Sequence, residues 1–224
     1  MSEYQYYEFV AIDRPLTDRQ VAELRELSPP ARVTRTSFIG AYDWADFTGD
    51  VRQLIAELFD AHLHLTNWGT RQVLFRVPAG VLELDTAVRY CEAAWADGDG
   101  VILDFTQTLE DTGEDWATGG EGRLAPILPV RAELLAGDLR ALYLGWLVAV
   151  QADEVAGEAV EPPVPAGLRE LTPAQRSLAE FLCLDPDLLA AAAEGSGGRD
   201  GTAPAARPGA RTAGQLRAAA AAGA

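Results

Sequence analysis

The stretch Asp50-Val51-Arg52-Gln53-Leu54-Ile55-Ala56-Glu57-Leu58-Phe59-Asp60-Ala61-His62-Leu63-His64 decides how the first half of the chain is read. Asp50 is a good N-cap, because its carboxylate can accept the unpaired N–H groups of a first helical turn. Val51, Leu54, Ile55, Leu58, Phe59 and His62 then recur at helical spacing, giving one apolar face. This predicts an amphipathic helix running to about His62, with Asn67-Trp68-Gly69 as its end. Strands are expected on either side of it. Tyr4 to Ile12 and Arg32 to Tyr42 precede it, and Arg71 to Val77 and Val101 to Phe105 follow. All four are rich in β-branched and aromatic residues.

Helix signals fill the gaps. Thr17 and Gln20 have the spacing of a capping box, with Leu16 and Val21 placed as a hydrophobic staple, and Ser28-Pro29-Pro30 closes that helix. Asp85 caps a short helix reaching about Trp95, and Asp97-Gly98-Asp99-Gly100 leads into the fourth strand. From Leu135, apolar residues return at Leu139, Leu142, Tyr143, Trp146, Leu147 and Val150, the strongest helical pattern in the chain, capped by Asp138 or beginning a turn earlier. Glu161-Pro162-Pro163-Val164-Pro165 reads as a stiff connector. Thr172-Pro173-Ala174-Gln175 and Asp185-Pro186 open two further helices. The fold class expected is α+β: a small four-stranded sheet with packed helices over residues 1–125, then a helical C-terminal subdomain packed on it over 126–194. Residues 195–224, rich in Ala, Gly and Arg, are expected to be a disordered tail. Gln215 to Ala222 could form a helix, but is too short to stand alone.

Charge bounds the partners. The chain has 34 Asp and Glu against 18 Arg, no Lys, and a formal net charge of −16. Residues 1–195 hold 33 acids and 14 Arg, whereas 196–224 hold one acid and four Arg. An acidic body repels phosphate backbones and anionic lipid, so neither nucleic acid nor membrane is an expected partner. No apolar run approaches the roughly 18 residues of a membrane span, and Met1-Ser2-Glu3-Tyr4 has no secretory character. Cys91 and Cys183 lie far apart and form no zinc or redox motif. Two free thiols fit a cytoplasmic location.

Several residues are candidates for chemistry. His62 and His64 are the only histidines. On a strand they would share a face as a metal pair needs, but at a helix end they point apart, so no metal site is assigned. Asp43, Asp46 and Asp50 surround Trp44 and Phe47 and could hold a divalent cation, although the glycine and terminal glutamate of a calcium loop are missing. Asp104 lies inside the apolar run Val101-Ile102-Leu103-Asp104-Phe105, within an acidic stretch, Asp97 to Glu121, of eight carboxylates and no Arg. Burial there would raise its pKa. Trp44 and Trp68, with Arg71 as a polar anchor, form the candidate binding surface, since Trp and Arg are enriched at binding hot spots.

The opening Met1-Ser2-Glu3-Tyr4-Gln5-Tyr6-Tyr7-Glu8-Phe9, followed by Ala11-Ile12-Asp13-Arg14-Pro15-Leu16, resembles a family of uncharacterised bacterial proteins from GC-rich genomes of actinobacterial type. Asn67-Trp68-Gly69-Thr70-Arg71, Leu139 to Leu147 and Glu161 to Pro165 are similar to it too, so the resemblance covers roughly residues 1–192. It brings no catalytic residue across. It implies that longer members continue into an Arg- and Ala-rich helical extension, of which Arg211 to Arg217 looks like a beginning that stops early.

The leading expectation is therefore an acidic, cytoplasmic protein-interaction module acting in a complex. No cofactor, catalytic residue or oligomeric state is assigned. The alternative is a divalent-cation-dependent hydrolase or nuclease-like enzyme using Asp43, Asp46 and Asp104, which requires those carboxylates to converge. A nucleic-acid mimic would instead need its carboxylates along one continuous face.

Overall fold

Alternation along the central strands sets the architecture. In the computed structural model, which describes residues 4–44, 47–109, 119–198 and 211–223, Tyr4–Val10 (β1), Arg32–Val33 (β2), Ser37–Asp43 (β3), Ala61–Thr66 (β4), Thr70–Pro78 (β5), Trp95–Asp97 (β6) and Gly100–Thr108 (β7) form one sheet in the order β2-β3-β1-β4-β5-β7-β6. Every neighbouring pair is antiparallel. The class is α+β, as expected, but the sheet has seven strands rather than four.

Three local corrections account for the difference. The helix opened by Asp50 spans only Val51–Glu57 (α2). It ends where Phe59 turns into the core and the Asp60 carboxylate accepts the Ile12 and Asp13 N–H groups at 2.6 and 2.9 Å. The following residues become β4, so His62 and His64 stand on a strand. Arg32 to Tyr42 is split because the Thr34 hydroxyl accepts the N–H groups of Thr36 and Ser37, turning the chain into a hairpin. The short helix expected from an Asp85 cap to about Trp95 is only Leu84–Ala87 (α3), with Glu83 at its N-cap and Asp85 in its first turn, which leaves Trp95–Asp97 free to pair with β7 across Gly98-Asp99. Gly98 supplies the positive φ of 57° that this two-residue turn demands.

Two layers of helix cover the sheet. On one face Asp18–Leu27 (α1) and α2 bury Val21, Leu24, Leu54 and Ile55 against Phe9, Phe38, Leu74 and Ile102. The Thr17–Gln20 capping box starts α1 as expected. On the other face Pro129–Leu135 (α4), Arg140–Gln151 (α5), Pro173–Phe181 (α6) and Pro186–Ala193 (α7) share a core with Leu63, Phe75, Leu103 and Phe105. The helix expected from an Asp138 cap or from a turn earlier is α5, whose Arg140 N–H donates to Asp138 Oδ1 at 3.1 Å; Leu135 instead ends α4, and Gly137, with φ 85°, lies between the two. Helix α5 lies so close to β7 that a Cβ on Gly145 would sit 2.5 Å from the Phe105 ring.

The tail expected over 195–224 falls partly on residues 199–210 and 224, outside those described. Ala213–Gly223 (α8) is helical and buries Ala213, Leu216 and Ala220. Arg211 bonds Glu161 at 2.8 and 2.9 Å and the Ala191 carbonyl at 2.9 Å, and Thr212 bridges to Val160. The Gly214 and Ala213 N–H groups donate to the Gly157 and Ala159 carbonyls. Among the described residues no helix is long and apolar enough to cross a membrane.

One buried cation joins the layers. Arg131 of α4 is 3% exposed. It donates two bonds to Asp13 at 2.9 and 2.5 Å and one to the Arg76 carbonyl at 2.7 Å, and lies 3.6 Å from Asp60. Removing it leaves the Arg76 carbonyl without its donor and the buried Asp60 carboxylate without its neighbouring cation. Arg131→Ala is therefore expected to cost about 3–5 kcal/mol in urea unfolding. A loss under about 1 kcal/mol would mean that water replaces the guanidinium without penalty.

Candidate functional site

The strand register ranks the candidate residues by face. One row runs Phe38, Phe9, His62, Leu74 and Asp104 across β3-β1-β4-β5-β7, and the next runs Gly40, Tyr7, His64, Gln72 and Thr106. Both rows lie on the face that carries α1 and α2. The intervening row, Ile39, Glu8, Leu63, Val73 and Phe105, lies on the opposite face.

His62 and His64 do share a face, and what surrounds them is aromatic. The His62 ring stacks on Phe9 at 4.0 Å and the His64 ring on Tyr7 at 4.2 Å. His62 Nδ1–H donates to the Glu8 carbonyl at 2.9 Å, since a carbonyl can only accept, and its Nε2 is buried without a partner. Burial holds the His62 pKa down to about 3, with the neighbouring His64 adding to the effect, and burial holds His64 down to about 4. Among the described residues no three His, Cys, Asp or Glu side chains are grouped to hold a metal ion.

Asp43 and Asp104 do not meet. Asp43 pairs with Tyr4 and so belongs to the Phe105 face, opposite to Asp104. Three strands, β1, β4 and β5, also separate β3 from β7, which is about 19 Å at the usual strand spacing. Asp46 lies outside the described residues. Asp50 is occupied as the N-cap of α2, accepting from the Gln53 N–H at 3.1 Å. Asp104 itself is satisfied rather than poised. Gln72 Nε2 donates to both its oxygens at 2.9 and 3.0 Å, and the Thr106 hydroxyl donates at 2.6 Å. Burial still raises its pKa, as the sequence led us to expect, with the two hydrogen bonds opposing the rise. Cys91 is buried and donates its S–H to the Asp104 carbonyl at 3.0 Å; burial pushes the thiol up to about 11, far from a reactive thiolate.

The binding candidates separate into two kinds. Trp44, at φ 58° just beyond β3, is 67% exposed, and Trp68, in the β4–β5 turn, is 46% exposed. They stand at the same end of the sheet, on either side of the start of β1: Tyr4 pairs with Asp43, next to Trp44, and its N–H donates to Asn67, next to Trp68, at 3.0 Å. Arg71 is turned away from them. It shares its row with Leu65 and Gln107, is 3% exposed, and donates to the Phe181 carbonyl of α6 while its guanidinium lies over the Phe181 ring. It fastens α6 to the sheet and does not serve as a surface anchor.

A groove that the sequence did not reveal opens beside β7. Strand β6 pairs only with Gly100 to Ile102, so the rest of that edge is bordered by other elements. The groove, about 820 Å³, is bounded by Tyr90 and Cys91 after α3, Trp146 of α5, and Val155 and Val160 of the following loop. Its signal was present in part: Trp95 to Gly100 is a strand followed by a turn, and reading it so would have shown an edge covered for only three residues. No protein-family model, curated protein or solved structure matches the chain, so the function is argued from this geometry.

The two histidines predict a pH response with a fixed sign. Their folded pKa values lie below the unfolded value of 6.5. The unfolded chain therefore binds protons first as pH falls, and stability present above pH 6.5 is lost below it. Between pH 6.5 and about 4.5 the unfolding free energy from urea titration should fall, by as much as ~1.4 kcal/mol per pH unit for each histidine. The double variant His62→Phe, His64→Tyr should flatten that slope; an unchanged slope would assign it to other groups.

Proposed function

We propose that the protein is a non-catalytic interaction module that binds a protein partner in a cytoplasmic complex through the Trp44–Trp68 end of its sheet. The exposure of both indoles at one end carries this reading. Each ring offers a large apolar area with few rotatable bonds, the combination that makes Trp a frequent hot spot. The net charge of −16 favours a protein partner over nucleic acid or anionic membrane. Two free thiols, Cys91 and Cys183, support the cytoplasmic assignment. The separation of Asp43 from Asp104 removes the convergence that the hydrolase reading required.

The test is affinity capture of the tagged chain from lysate of its source cells, with nuclease present, set beside the Trp44→Ala, Trp68→Ala variant. A stoichiometric partner retained by the native chain and reduced tenfold or more by the variant is the expected outcome. Equal recovery by both would place the contact elsewhere on the molecule.

A further inference from the structure

The second half of β7 has an edge without a strand partner among the described residues, and it runs toward the end of the sheet that carries Trp68, since Thr108 pairs with Thr70. In the β6–β7 hairpin, Asp97 and Gly100 close a two-residue turn, so the main-chain groups of Gly100 face β6. Strand alternation then points the N–H and C=O groups of Ile102, Asp104, Thr106 and Thr108 the same way, outward from β5. Ile102 is taken by Trp95, and the Asp104 carbonyl by the Cys91 thiol. The outward groups of Thr106 and Thr108 have no strand partner among the described residues. An unpaired strand edge is a template for another strand, and here it borders a groove rather than open solvent.

The lining specifies what would fit. Val160, 62% exposed, gives the groove an apolar lip above the buried Trp146 and Phe105. Glu92, Glu154 and Asp104 line it against a single Arg89. We propose that this groove binds an extended segment of a partner protein, about five residues long, by adding it as a strand to Thr106–Thr108. Its alternate side chains are apolar and face Val160, and at least one Arg or Lys meets Glu92 or Glu154. Strand addition supplies the affinity through main-chain bonds, and the two glutamates supply the choice of sign. A second copy of this chain is disfavoured as occupant, because it would bring another strongly acidic body to an acidic groove.

Fluorescence anisotropy at low salt tests this with three labelled hexapeptides: acetyl-Val-Arg-Val-Arg-Val-Thr-amide, the same peptide with Glu in place of Arg, and the Arg peptide N-methylated at alternate residues. The Arg peptide is expected to bind saturably. The Glu peptide and the N-methylated peptide should each bind at least tenfold more weakly. Glu92→Lys, Glu154→Lys, a change confined to exposed side chains, should lower affinity for the Arg peptide at least tenfold. Hydrogen exchange at the Thr106 and Thr108 amides should slow on binding. Equal binding of the N-methylated peptide, protection elsewhere, a chain whose mass doubles in solution, or no binding of any peptide would each overturn the proposal. Trp44→Ala, Trp68→Ala should bind the Arg peptide normally, so failure at the groove and failure at the tryptophan end are read separately.

Discussion

Both faces of β4 and β5 are buried, and everything else in the molecule answers to that constraint. Ala61, Leu63 and Leu65 face one way; His62, His64 and Thr66 face the other. An antiparallel sheet with one wet face needs a single layer of helix, but this one needs two. The N-terminal third provides one layer with α1 and α2, and the C-terminal half provides the other with α4 to α8. The layers meet around the sheet where the chain leaves β1 and enters β4, and Arg131 holds the carboxylates and the carbonyl gathered there. A buried cation in such a place is not a large net source of stability, since its own desolvation offsets much of what its partners return. Its effect is on geometry: it fixes where α4 lies relative to the ends of β1, β4 and β5.

The sequence made some of this legible and concealed the rest for identifiable reasons. Capping boxes at Thr17–Gln20 and Thr172–Gln175 are local, and both are formed. The strands of strongest β-propensity were legible for the same reason. The β4 segment was hidden because two periods overlap. Val51, Leu54, Ile55, Leu58 and Phe59 set a helical rhythm that His62 continues by coincidence, while Ala61 to Thr66 already alternates. What decides between them is the fixing of Asp60 by main-chain donors 47 and 48 residues distant, which no local window contains. The short partners β2 and β6 escaped for a related reason: strands of two or three residues exist only because a longer neighbour offers them an edge.

The site residues divide along the same line. Exposure of Trp44 and Trp68 follows from turns that local sequence marks well, Asn67-Trp68-Gly69 above all. Arg71 and Asp104 depend on tertiary context. Arg71 alternates with Gln72, so one-residue differences in register decide whether its guanidinium meets solvent or α6. Asp104 is in an apolar run because Val101, Leu103 and Phe105 face one core and Ile102 the other, while the adjoining row provides Gln72 and Thr106 to satisfy it. The rise in its pKa has a structural cause, burial, which the Thr106 and Gln72 hydrogen bonds oppose.

Helix α8 has a consequence that reaches past its own packing. The loop it grips through the Gly157 and Ala159 carbonyls is the same loop that carries Val155 and Val160 to the groove beside β7. The docked helix and the position of that wall therefore depend on the same two main-chain hydrogen bonds. A ligand whose contact with that wall depended on those bonds would, by thermodynamic reciprocity, tighten the helix by the factor by which the docked helix tightens the ligand. Helix α8 is in this sense a support of the groove, although it lines none of it.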